Sequence, residues 1–149
     1  ALRAFLTQGV DAIMLAPLTK AGFEPVLREI AAAQVPVILV DRGVDVSDPA
    51  LYATLIASDF VAQGRMAGEF LVQRLGGKGK VAIIGFMPGS ASTMEREHGF
   101  QDEMRTRFPN VNVVGLQFGM ADRAKATLAA EKITNVQQAI DYVKAHVKS

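Results

Sequence analysis

Short apolar runs rich in β-branched residues alternate along this chain with longer segments of helical spacing, and that alternation limits the fold more than any other feature. The runs "DAIML", "PVILV", "ATLIA", "KVAII" and "VNVVGL" have the length and content of strands buried on both faces, as parallel strands are. Between them, "EPVLREIAAAQ" places Val26, Leu27, Ile30 and Ala31 on one stripe, with Arg28 and Glu29 off it. In "RMAGEFLVQRL" the pairs Met66/Phe70 and Ala67/Leu71 repeat at i, i+4, and "GGKG" stops the helix. Strand, helix, strand units of this kind predict an α/β fold: a parallel sheet with flanking helices and right-handed crossovers. The 149 residues, half of them hydrophobic, are enough to bury a sizeable core.

The boundaries carry local signals. The N-terminal "ALRAFLTQGVDAIML" reads as the end of a helix entering a strand, as though the chain started in mid-domain, and it lacks the ordered regions of a signal peptide. The polar stretch "GVDVSDPALYA", Gly43 to Ala53, replaces an expected helix and is a candidate hinge or change of topology. After "KVAII", the sequence "STME" predicts a capping box in which Ser92 caps and Glu95 reaches back.

In an open parallel sheet, ligands bind beyond the carboxyl ends of the strands, where backbone amides and helix starts converge. Asp41 and Arg42 follow "VILV" directly and are the sharpest pair at such an end. A carboxylate accepts hydrogen bonds from adjacent hydroxyls and a guanidinium offers a planar fork of donors, a combination suited to neutral polyols such as sugars. A strand-end ion pair in water fits the same two residues. Asp59, after "LIAS", is a candidate contact and equally a helix cap. Ser90 and Ser92, in a small glycine-containing turn, could meet an anion or a hydroxyl. Arg96 lies one turn into the next helix and fits either the crevice or a solvated face.

Catalytic chemistry finds little support. No cysteine is present, which excludes disulfides, thiolate metal sites and cysteine nucleophiles without fixing the redox compartment. His98 and His146 have no carboxylate or second histidine at ligand spacing, so neither a metal nor a catalytic triad is expected. The GxSxG, GxGxxG and Walker patterns are absent, and no cofactor is expected. A formal charge of +1 gives no field for gripping nucleic acid, and no apolar run approaches the roughly 20 residues needed to cross a bilayer as a helix.

Taken in order, "GVDAIMLAP", "AAAQVPVILVDRGVD", "IASDFVAQGRMAGEFL", "GKVAIIG" and "GSAS" with "EREHGF" resemble the sugar-binding proteins of bacterial ABC importers, in the ribose and galactofuranose group of periplasmic binding proteins. The resemblance runs from Ala1 to about Ala130. It implies a type I fold of two α/β lobes joined by a three-segment hinge and closing on one sugar, with no enzymatic activity. It further implies direct sugar contact by Asp41 and Arg42, and makes Arg96, the arginine ahead of "HGF", a second contact. Two positions depart from the pattern: Phe60 stands where many members have asparagine after Ser-Asp, and Met94 where some ribose binders have arginine. These changes speak against ribose and leave another furanose or pyranose. The implied partners are a monosaccharide and, for the full-length parent, a transporter permease in the periplasm, without nucleic acid or membrane insertion.

Measured against that family the lobes are incomplete. Residues 1–57 correspond to the second half of lobe one, and 58–130 to the crossover and first part of lobe two. The last twenty residues, "AEKITNVQQAIDYVKAHVKS", resemble the end of an acyl carrier protein, and 131–149 are predicted to form an amphipathic helix with Thr134 and Gln137 as its capping box. The carrier's Asp-Ser-Leu attachment site is absent. Strands that are central in a full lobe become edges here, which predicts self-association or swapping. A sugar-responsive regulator's effector domain, or a chimeric flavodoxin-like domain without ligand, are the alternatives. The first would need a helix-turn-helix ahead of the core.

Overall fold

The expected strands and helices form in the expected order in the computed structural model, which describes residues 1–131. The carrier-like tail, with Thr134 and Gln137, lies outside the described residues. The chain divides into two compact units, Ala1–Ser58 with Gly89–Ser92, and Asp59–Pro88 with Thr93 onward.

The first unit holds α1 (Leu2–Gln8), β1 (Ile13–Leu15), α2 (Glu24–Ala32), β2 (Val37–Val40), a single 3-10 turn (Pro49–Leu51) and β3 (Thr54–Ile56). The three strands are parallel in the order β1-β2-β3, with Leu15, Leu39 and Leu55 in register. Ile13, Val37 and Leu39 meet Leu27 and Ile30 of α2 and Leu51 of the 3-10 turn in one core, onto which Leu2 and Leu6 of α1 pack. "GVDVSDPALYA" therefore contributes a buried residue, and Asp48 caps its turn by accepting the Ala50 N–H at 2.9 Å.

One expectation fails in this unit. Strands read as buried on both faces are only partly covered among the described residues: Met14 is 75% exposed, and all three residues of β3 are exposed, Ile56 at 63%. The reason is that α1 and α2 join the same core, and that core takes one side of the pleat.

The second unit holds α3 (Phe60–Leu75), β4 (Gly79–Gly85), α4 (Ala91–Arg107, whose first residues belong to the first unit), β5 (Val111–Phe118) and α5 (Arg123–Glu131). β4 and β5 pair in parallel as a second sheet, with a register shift between Val81 and Ala82. Val72, Val81, Met104 and Val111 form its core.

Two local predictions are corrected here. The buried stripe of α3 is Phe60, Gly64, Gly68 and Val72, while Met66 and Phe70 are exposed. Glycines let α4 approach, so the contact face passes through them rather than through the large side chains. α4 begins at Ala91, which puts Ser92 inside its first turn instead of at a capping position.

Candidate functional site

Asp41 and Arg42 sit where β2 ends, on a sharply bent backbone. The Arg42 N–H donates to the Val40 carbonyl at 2.8 Å, closing a three-residue turn across Asp41, whose φ is 68°. A γ-turn with positive central φ is the rare and strained hand. Aspartate is one of the few non-glycine residues that tolerate it, and strain of about 1–3 kcal/mol persists where the surroundings enforce it, often at functional sites. The Asp41 N–H extends the ladder by donating to the Ile56 carbonyl at 2.9 Å.

The two side chains are paired but not saturated. Arg42 Nε lies 3.0 Å from Asp41 Oδ2. Yet this Nε is buried and has no hydrogen-bond acceptor, so the contact is Coulombic attraction without a directed N–H···O bond. Arg42 Nη1 donates a long bond of 3.4 Å to the carbonyl of Pro17, a fully buried residue just past β1. The Asp41 side chain is half exposed while that of Arg42 is mostly buried. A buried N–H without an acceptor costs free energy, and here it stands beside a carboxylate open to solvent.

The other candidates have structural partners. Asp59 caps α3, its Oδ1 accepting the Ala62 N–H at 2.8 Å. Ser90 and Ser92 are buried with their hydroxyls 3.1 Å apart, and the turn before them is held by the Lys20 N–H donating to the Gly89 carbonyl at 2.9 Å. Arg96 lies over the Phe60 ring, 4.3 Å from its centroid, and its Nε donates to Gln63 Oε1 at 2.9 Å. The first unit thus carries Asp41, Arg42, Ser90 and Ser92, and the second carries Asp59 and Arg96. Among the described residues no group of three histidine, aspartate or glutamate side chains is placed to hold a metal.

Sequence reasoning missed the Pro17 carbonyl, a backbone group that no side chain marks, and Gln63, a neutral residue inside α3. It also passed over Glu97, whose Oε1 is buried without a partner beside Gly85, burial pushing its carboxyl above the usual range.

The family model described as periplasmic binding protein domain matches residues 1–145, and so extends past Ala130, the expected end of the family resemblance. The galactofuranose-binding protein YtfQ of Escherichia coli is 36% identical over 150 residues, covering 98% of this chain and 47% of the relative. The ribose import binding protein RbsB of Bacillus subtilis is 32% identical over 141 residues, covering 95% and 44%.

Among solved structures, a galactofuranose binding protein superposes with a TM-score of 0.82 at 34% identity, over 97% of this chain and 46% of that one. The periplasmic binding protein component of a Shewanella arabinose ABC transporter, bound to L-arabinofuranose, gives 0.78 at 34% identity, over 97% and 52%. The chain spans about half the length of the relatives it matches. Its α/β fold with parallel strands is that of the type I binding proteins, and the chain belongs to the periplasmic binding protein domain family.

Proposed function

We propose that this chain is part of a non-catalytic, periplasmic solute-binding protein that takes a monosaccharide and delivers it to an ABC transporter permease. The observation that carries this reading is the Arg42–Asp41 pair at the end of β2, its Nε and Oδ2 3.0 Å apart and its carboxylate half exposed. A sugar hydroxyl accepts from the guanidinium with its oxygen and donates its proton to the carboxylate, so one pair of adjacent hydroxyls satisfies both groups. Named relatives bind galactofuranose and ribose, and a solved neighbour holds arabinofuranose. These names support a furanose or a related pyranose as the ligand class.

Arg96, on the second unit, is a further candidate contact, presented by its stacking on Phe60. Asp59 uses one carboxylate oxygen in its cap, which leaves the other for a ligand. Ser90 and Ser92 would act through the turn that they stiffen.

Titration calorimetry of the folded chain against a panel of furanoses and pyranoses tests the reading. Binding of at least one sugar, lost in Asp41→Ala and in Arg42→Ala, is expected. A folded chain that binds none of the panel, or variants that bind as well as the parent, would overturn it.

A further inference from the structure

Each unit's sheet leaves edge strands with one free side, and the free sides of β1 and β4 complement each other. The first sheet has the order β1-β2-β3 and the second β4-β5, so among the described residues the outer edges of β1 and β4 carry unpaired backbone groups. Such edges are ready templates for another chain. β4 is poorly guarded: in its seven residues Lys80 is the only charge, and Ile84 is 47% exposed.

A groove of about 370 Å³ runs along this strand. The last four β4 residues, Ala82 to Gly85, and the following Phe86 line it, with Gly64 and Ala67 of α3 and Phe100 of α4 as its walls. Because successive strand residues point to opposite faces, a groove lined by four in a row follows the edge of the strand. In the first unit, Met14 of β1 is the most exposed of the large apolar residues, at 75%.

We propose that two copies of this chain exchange edges, β1 of one copy pairing in parallel with β4 of the other. The resulting sheet would run β5-β4 from one copy and β1-β2-β3 from its partner. Renumbered along a single lobe, this is the doubly wound order 2-1-3-4-5, one of the common solutions for a five-stranded parallel sheet with helices on both faces. Pairing β4 with the outer edge of β3 gives no such order.

Charge agrees with the parallel alignment, which brings the amino ends of β1 and β4 together: exposed Asp11 stands just before β1, and exposed Lys80 opens β4. The exchange is mutual, so a two-fold dimer closes with no edge of β1 or β4 left to propagate. None of this depends on a sugar being bound.

The absence of cysteine makes the test direct. Asp11→Cys chains are mixed with Lys80→Cys chains under mild oxidation, and the disulfides are read on a non-reducing gel beside sedimentation of the unmodified chain. Neighbouring strands lie about 4.8 Å apart, within disulfide reach. The expected result is a dimer in sedimentation and a disulfide in the mixture several-fold faster than in either variant alone. A chain that stays monomeric up to about 1 mM, or a dimer in which Lys80→Cys alone links as fast as the mixture, overturns the proposal. Charge exchange gives the second reading. Asp11→Lys and Lys80→Asp should each weaken the dimer several-fold, and the double variant should recover it; a double variant weaker than either single one overturns the pairing.

Discussion

The carbonyl oxygen of Arg96 faces the backbone of Gly64 so closely that a Cβ at Gly64 would come within 2.1 Å of it. The contact is reciprocated one turn along, where a Cβ on Gly99 would lie 2.1 Å from the Val61 carbonyl oxygen. Each helix thus gives up a side chain where the other presents a carbonyl, and this sets α4 against α3 with Arg96 in reach of Phe60 and Gln63.

Replacement of these glycines tests the contact. In an exposed helix Gly→Ala gains up to about 1 kcal/mol, but here the methyl group would meet backbone that cannot rotate away. Gly64→Ala and Gly99→Ala are expected to destabilise by about 1–3 kcal/mol or more, measured by urea unfolding. Gly115→Ala, where a Cβ meets nothing within 4 Å, serves as the control and should be near neutral.

The stacking of Arg96 on Phe60 predicts a separate effect on binding. A cation over an aromatic face contributes about 0.5–2 kcal/mol, and Phe60→Leu removes it while keeping an apolar side chain in the buried site. If Arg96 contacts the ligand, sugar affinity should fall by roughly 2- to 30-fold by calorimetry. An unchanged affinity in a folded variant would remove Arg96 from the site.

Glu24 ties the loop after β2 to the start of α2. It accepts from Ser47 Oγ at 2.7 Å, from Arg28 Nη2 at 2.6 Å and from the Ser47 N–H at 3.1 Å. These bonds, the Ser47 hydroxyl first and Arg28 next, hold its carboxyl down at about 2. A depressed acid stabilises the fold above its unfolded value of 4.5, and that contribution is lost as pH falls through the window from 4.5 to about 2. Ser47→Ala should therefore raise the carboxyl's NMR titration midpoint, and lower the melting temperature at pH 7 by more than at pH 2.

Glu97 carries the opposite sign. Burial raises its carboxyl, so the protonated form is the one that the fold favours. Its stabilising effect is present below the ordinary carboxylate value and is lost as pH rises through the elevated one. Glu97→Gln should raise the melting temperature at pH 7 and change it little at pH 4; an equal change at both would show that the unpartnered Oε1 is not the cause.

Much of the architecture was legible in the sequence because strands and helices here follow their local hydrophobic period. All five apolar runs became strands, and α2 buries Leu27 and Ile30 as its stripe predicts. The face of α3 was not legible. Periodicity counts large apolar residues, and the helix instead turns Gly64 and Gly68 inward, where only a neighbouring backbone explains them. The same limit applies at the candidate site. The sequence brings Asp41 and Arg42 together by adjacency and marks them by the abrupt end of an apolar strand.

The sequence by itself determined the α/β alternation, the parallel strands and the charged pair at the end of β2, since each depends on neighbours in the chain. Tertiary structure decided the rest: the division into two sheets, the partial covering of the first, and the positive φ at Asp41. It also decided that Arg42 has a buried Nε with no acceptor. These depend on groups distant in sequence, such as the Pro17 carbonyl that takes the Arg42 guanidinium and the Ile56 carbonyl that takes the Asp41 N–H. A local pattern carries no record of which distant atom will complete it.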